Sequence, residues 1–188
     1  MTKKAARSAK SELIAVDGVD AAAVLAEARA ALGSPLRGGI SKWDASGVFQ
    51  ELAVAEDAAG APSARTLLLL YAADLAFRLR WQIRPALAEG RTVVAAPYVD
   101  TAIAFGRAAG LKPAWLANLF RFAPRARNRR FVHRRDARPA AVKDGFIGFS
   151  CDRMAAGGAS RTRRQMIEAT AAQLRRSDRG TATRRPRS

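Results

Sequence analysis

The chain has 188 residues with 49% hydrophobic content, which suits one core of about 120 to 180 residues and leaves little room for two full domains. Its single cysteine, Cys151, excludes an intrachain disulfide and favours a reducing, cytoplasmic location. Its net charge of +17 favours partners that carry negative charge, such as nucleotide phosphates or nucleic acid.

The first predicted elements are a strand and a helix joined by a tight turn. Residues 1–12 are basic and are predicted to form a flexible tail, and the apolar run from Leu13 to Val16 predicts a buried strand. Asp17-Gly18 is a turn signal, and Asp20 stands where a helix N-cap is expected. The alanines and leucines that follow favour a helix that ends at Gly33. Strand, turn and helix in this order are the frame of a phosphate-binding loop.

The next segments are predicted to be mainly helical. Residues 34–40 are rich in glycine and proline and predict a loop that ends at the apolar Ile40, and a second helix is expected from Ser46 to Gly60. Residues 63–89 show helical periodicity with a kink near residues 82–84, because Pro85 has no amide hydrogen. The longest apolar run lies here and is shorter than the about 20 residues that cross a membrane, so no membrane partner is expected.

A second apolar strand is predicted from Thr92 to Ala96, since this β-branched run is bounded by glycine and proline. Helices are expected over residues 100–109 and from Pro113 to Pro124. The alternation predicts an α/β fold, a parallel sheet with helices on both faces. Ligands in such folds bind at the carboxyl ends of the strands, so the loops after Val16, Ile40 and Ala96 are expected to face one cleft.

The composition changes after Pro124. Residues 125–188 hold 18 Lys and Arg against 5 Asp and Glu, which accounts for +13 of the net charge. A short strand is predicted from Arg130 to His133, followed by helices over residues 142–155 and 161–176 and by a disordered basic tail over residues 177–188. The apolar side of the last predicted helix is formed by Met166, Ile167, Ala171 and Leu174.

Two stretches resemble a known family. Residues 67–124 read LLLLYAADLAFRLRWQIRPALAEGRTVVAAPYVDTAIAFGRAAGLKPAWLANLFRFAP, and residues 13–20 read LIAVDGVD. They resemble the thymidylate kinases, nucleoside monophosphate kinases of the P-loop NTPase superfamily. The family's patterns are LLLFAADRAxHxxxxIxPALxxGxxVxxDRYxDSxxAYQG, followed by a helix of the LxxLNxFA type, and FIxFEGxDGxGKST. The resemblance covers residues 13–124. It implies a three-layer P-loop-NTPase-like domain over residues 13–176 with a basic C-terminal helical tail, and a homodimer.

The side chains with which the family binds phosphates and magnesium are missing from this sequence. Aligned on Asp20, the GxGKST pattern falls on residues 21–26, which contain no glycine, lysine or hydroxyl. Alanine resists the positive φ that glycine accepts, so helix is expected there instead of a loop. Ala96 and Pro97 replace the acidic residue and arginine of DRY, and Leu75 replaces the arginine of AADR. No catalytic residue, metal site or certain cofactor is therefore predicted, and ATP and magnesium are expected only if activity is retained.

The resemblance leaves five candidate nucleotide-binding residues: Asp20, Lys42, Tyr71, Tyr98 and Phe105. It places Tyr71 at the base-stacking position and Asp20 near the substrate sugar and phosphate. Each has a structural alternative, because the aromatic residues also fit core packing and Asp20 also fits a helix cap. Arginines of the family's mobile lid contact phosphates, and the candidates for that role are Arg127, Arg130 and Arg134.

Three functions stay open. The first is a nucleotide-binding domain, for dTMP or another nucleotide, that has lost efficient phosphoryl transfer from ATP. The second is an active dTMP kinase with unusual phosphate ligands. The third is a basic module whose C-terminal third binds nucleic acid weakly or binds an acidic protein. The abrupt change in charge after Pro124 could also come from a shift of reading frame in the source. The apolar face of residues 164–174 argues against such a shift.

Overall fold

The centre of the fold is a four-stranded parallel sheet. The structure is a computed structural model that describes residues 11–54, 60–133, 144–156 and 161–182. Its strand order is β2-β3-β1-β4, and all neighbours are parallel. The strands are β1 (Leu13–Gly18), β2 (Gly38–Lys42), β3 (Thr92–Ala96) and β4 (Asn128–Val132). In the central register Ala15 lies between Ala95 of β3 and Arg129 of β4.

Helices cover the sheet and connect its strands. None of those in the described ranges is long and apolar enough to cross a membrane. The helices are α1 (Ala21–Leu32), α2 (Val48–Val54), α3 (Ala64–Arg78), α4 (Arg84–Ala88), α5 (Val99–Ala108), α6 (Pro113–Leu119), α7 (Gly145–Ala156) and α8 (Arg163–Ala182). A short 3-10 turn, Pro35–Arg37, precedes β2.

The two faces of the sheet pack against different helices. Leu13 and Ala15 of β1 belong to the larger core, which includes apolar side chains of α3, α5, α7 and α8. Ile14 and Val16 point to the other face, where α1 covers them. This alternation follows from the two-residue period of a strand. The predicted α/β fold with helices on both faces of a parallel sheet is confirmed.

The predicted kink before Pro85 is confirmed as a π turn, Leu79–Ile83, between α3 and α4. The amide of Arg84 donates to the carbonyl of Leu79, five residues back. Proline cannot donate to residue i−4 and its ring clashes with that carbonyl, so one wider turn lets the helical direction continue past it.

Several predicted boundaries were wrong. Strand β2 begins at Gly38, inside the segment predicted as a loop through Ile40, and α6 ends at Leu119 instead of near Pro124. Helix α8 continues past Arg176 to Ala182, so residues 177–182 are helical. The carbonyl of Glu12 accepts from the amide of Val93, which joins this residue of the predicted tail to the sheet. Residues 1–10, 55–59 and 183–188 lie outside the described residues.

The extra length of α8 has a physical cause. Its apolar side, with Met166, Ile167 and Leu174 buried, belongs to the larger core. Near its end Asp178 lies 2.7 Å from Nε2 of His133, just beyond β4. Packing and this polar contact support the last turns of a helix whose residues 177–182 include Ser, Asp, Gly and Thr, which are weaker helix formers than Arg.

Gly38→Ala tests the close approach of β2 to β3. A Cβ at Gly38 would overlap the carbonyl oxygen of Thr92 and lie 2.6 Å from its carbonyl carbon, whereas a Cβ at Gly39 would meet nothing within 4 Å. We expect Gly38→Ala to lower the free energy of unfolding by about 1–3 kcal/mol in urea denaturation. The matched control Gly39→Ala should change it by less than about 0.5 kcal/mol. Equal effects of the two changes would contradict this strand pairing.

Candidate functional site

The ends of three strands meet at one cavity, as the sequence predicts. It has a volume of about 200 Å³ and lies where β1, β2 and β3 end. Its walls are mainly apolar, and Lys42 and Asp144 are exposed side chains on its lining. The apolar residues of the lining include Val19, Val24, Leu25, Trp43, Pro97 and Ile147.

Helix α1 begins immediately after the turn that follows β1. The side chain of Asp20 caps it by accepting from the amide of Ala23 at 3.1 Å, and the amide of Val24 donates to the carbonyl of Asp20 at 2.9 Å. Residues 21–26 are therefore helical, as the alanines predict. The predicted capping role of Asp20 is confirmed, and its contact with a nucleotide stays a prediction.

The start of α7 lies against the start of α1. A Cβ at Gly145 would lie 2.6 Å from the Cβ of Ala21, so only glycine permits this approach. Gly145 also has a φ of +77°, which L residues with side chains rarely adopt. Residues 144–147 then line the cavity beside Val24. The start of α7 thus packs against the first turn of α1.

A fully buried arginine crosses the cleft behind this cavity. Arg78 of α3 has no exposed surface, and its Nε lies 3.0 Å from Oδ2 of the equally buried Asp74. One terminal nitrogen donates to the carbonyl of Pro97 at 3.0 Å, and the other donates to the hydroxyl of Tyr71 at 3.4 Å. The Tyr71 hydroxyl in turn donates a hydrogen bond to the carbonyl of Tyr98 at 2.6 Å. The arginine therefore holds α3 to the end of β3.

The partner of this arginine also fixes the loop after β2. Asp74 accepts from the amides of Asp44 and Ser46 and from the Ser46 hydroxyl, at 3.0 to 3.2 Å. Asp44 in turn accepts from the amides of Phe49 and Gln50 at the start of α2. A chain of polar contacts thus runs from the interior of α3 to α2.

A buried carboxylate joins β1 to the start of α5. Asp17 is 1% exposed, and its Oδ1 accepts from the amides of Tyr98 and Thr101 and from the Thr101 hydroxyl, at 2.7 to 3.0 Å. Burial, and next the negative charge of Asp100, raise the pKa of the Asp17 carboxyl to about 7, although the hydrogen bonds oppose this rise. The carboxyl is the most strongly held polar group at the end of β1.

The aromatic candidates meet around a residue that sequence reasoning did not select. The ring centroid of Phe146, on α7, lies 4.5 Å from that of Tyr71 and 5.3 Å from that of Phe105. Tyr71 and Phe105 have no exposed surface, and Tyr98 is 4% exposed. Burial raises the pKa of both tyrosine hydroxyls. A ring of the same chain therefore lies against Tyr71, the residue to which the resemblance assigns base stacking.

The cationic candidates are dispersed. Lys42 lies on the cavity. Arg130 pairs with Glu27 of α1 at 2.7 Å, and the backbone amide of Arg127 donates to Leu13, at the opposite end of β1 from the cavity. Arg134 lies outside the described residues. Sequence reasoning missed Arg78, although its spacing of four from Asp74 within an apolar helix was a usable signal.

Comparison with known proteins shows the fold. No protein-family model and no curated protein matches the chain. Among solved structures it is similar to thymidylate kinase from Ehrlichia chaffeensis, with a TM-score of 0.55, 18% identity, and coverage of 73% of this chain and 85% of that one. The parallel sheet with its flanking helices is thus that of a P-loop kinase-like fold.

The buried carboxyl makes stability depend on pH. The folded protein binds the Asp17 proton more tightly than the unfolded chain, where the pKa is near 3.8, so the stabilisation is complete below that value and is lost as pH rises to about 7. Asp17→Asn keeps the accepting Oδ1 and cannot ionise. We expect urea denaturation to show wild type losing stability relative to this variant between these pH values. A pH-independent difference would contradict the raised pKa.

Proposed function

We propose that this chain is a thymidylate-kinase-like domain that has lost efficient phosphoryl transfer from ATP to dTMP and binds nucleotides weakly at most. The observation that carries the proposal is the position of α1. Its helix occupies residues 21–26, where the family pattern requires a loop that curls around phosphates. The fold supports the family assignment, and the contacts at the cleft support the loss.

The start of α1 and the cavity beside it, where the phosphate donor would bind, do not fit a magnesium–ATP complex. Such a site needs consecutive free amides, a lysine and a magnesium-binding hydroxyl. Here Val24 stands at the position of the lysine and Leu25 at that of the hydroxyl. The cavity of about 200 Å³ is smaller than the roughly 300–1,000 Å³ of typical ligand pockets. The start of a helix stabilises a bound anion by about 0.3–1 kcal/mol. Enzymes lower the activation free energy by at least about 8 kcal/mol, so the helix start alone cannot supply catalysis.

The acceptor side is filled by Phe146. A thymine ring stacked on Tyr71 would have to take its place, since the two rings already lie 4.5 Å apart. Removing the contacts of a buried phenylalanine costs about 3–5 kcal/mol, which a bound base would first have to offset. We therefore expect a dissociation constant for dTMP weaker than about 1 mM, which corresponds to about 4 kcal/mol of binding.

A coupled kinase assay with Mg-ATP and dTMP tests the loss directly. We expect a turnover below about 1 per second, the lower end of the ordinary enzyme range. The combined change Ala21→Gly, Ala23→Gly, Val24→Lys and Leu25→Ser should not restore activity, because Ala96 and Pro97 still lack the family's acidic residue and arginine. A faster turnover in the wild type, or full activity in the combined variant, would contradict the proposal.

Phe146→Ala tests whether the ring of Phe146 is what prevents dTMP from binding beside Tyr71. We expect it to lower the free energy of unfolding by about 3–5 kcal/mol and to tighten dTMP binding at least tenfold in isothermal titration, because the space beside Tyr71 opens. Phe146→Leu serves as the milder variant if the alanine variant does not fold. The control Phe122→Ala, at a side chain that is 39% exposed, should change neither quantity much. Micromolar dTMP binding by the wild type would show that Phe146 is no obstacle.

A further inference from the structure

We propose that the loop of residues 120–127, with the cleft beside it, binds single-stranded nucleic acid. The phosphates would lie on the arginines of this loop, and an unpaired base would enter the cleft. The inference does not depend on whether the domain has kinase activity. It rests on the positive charge, the cleft and the aromatic side chains of one part of the surface.

The charge around this loop is positive and largely uncompensated. Residues 101–135 contain 9 Lys and Arg and no Asp or Glu. Two of these arginines form ion pairs, Arg129 with Asp100 and Arg130 with Glu27. Arg121, Arg125 and Arg127 are exposed, and no carboxylate in the described ranges pairs with them. Three such guanidinium groups within seven residues form a site for a polyanion.

A cleft of about 490 Å³ adjoins the loop, within the range of roughly 300–1,000 Å³ that is typical of ligand sites. Apolar side chains of α5 and of the loop line it, including Ile103 and Phe120. Its charged lining residues are Arg125, Arg129 and Asp100, and Arg129 is paired with Asp100. It shares no lining residue with the apolar cavity at the end of β1. The cleft combines an apolar surface for a ring with the guanidinium group of Arg125 for a phosphate.

The cleft is held in shape by the fold. The hydroxyl of Tyr98 donates to the carbonyl of Pro124 at 2.6 Å and fixes the loop to the residue before α5. Nε of Arg129 donates to Asp100 at 3.0 Å and joins β4 to the first turn of α5. A preformed cleft loses less conformational entropy when a ligand binds.

Aromatic rings favour a single strand over a duplex or an acidic protein. Phe122 is 39% exposed in the middle of the loop, and the guanidinium of Arg129 lies 5.3 Å from the ring centroid of Phe131. Stacking on exposed rings contributes about 1–3 kcal/mol per base. Bases of a duplex are stacked and paired and cannot reach a cleft of this kind.

Fluorescence anisotropy of the full chain with a labelled 12-nucleotide single strand tests the proposal. We expect binding at low salt that weakens steeply as salt rises, with each phosphate contact adding about 0.7 to the slope of log affinity against log salt. Replacing Arg121, Arg125 and Arg127 by alanine should weaken binding at least tenfold and reduce that slope by about 2. Phe122→Ala should weaken binding roughly fivefold and leave the slope unchanged.

The control removes three other exposed arginines, Arg29, Arg37 and Arg80, and makes the same change in net charge. It should weaken binding less than about threefold, because only the screened long-range field changes. Equal losses in both triple variants would overturn the proposal. So would equal affinity for a duplex of the same length, competition by polyglutamate as strong as by the unlabelled strand, or no binding at low salt. Thermal melts of every variant exclude loss of fold as the cause.

Discussion

The cleft depends on the buried ion pair between the guanidinium group of Arg78 and the carboxylate of Asp74. A charge without exposed surface must be paired, and removal of one partner of such a pair costs about 3–5 kcal/mol. Here the partner is Asp74, and one terminal nitrogen reaches carbonyl groups at the ends of β2 and β3, those of Ser41 and Pro97. One side chain thereby connects α3 to the ends of β2 and β3.

A cation, a carboxylate and an aromatic ring near the strand ends already have partners within the chain. The cation Arg78 is paired with Asp74, the carboxylate of Asp17 accepts from Thr101 and the Tyr98 amide, and the slot beside Tyr71 holds Phe146. These contacts contribute to the stability of the free protein, and under the proposed function they are the reason why the domain binds nucleotides weakly at most.

The sequence was sufficient for the elements whose signals are local. The β-branched run at Thr92, the cap at Asp20 and the helix-forming alanines after it each specify their structure within a few residues. Strand β2 was missed because Gly38 and Gly39 read as a loop, whereas Gly38 is needed for the close approach to Thr92. The role of Phe146 was missed because it depends on how a segment beyond the resemblance folds back onto α1, which the local pattern does not specify.

The most direct test is a crystal structure grown with saturating Mg-ATP and dTMP. We expect residues 21–26 to remain helical, Phe146 to remain beside Tyr71, and no phosphate density at the start of α1. A turn after Asp17 that wraps around bound phosphates, with magnesium in place, would contradict the account.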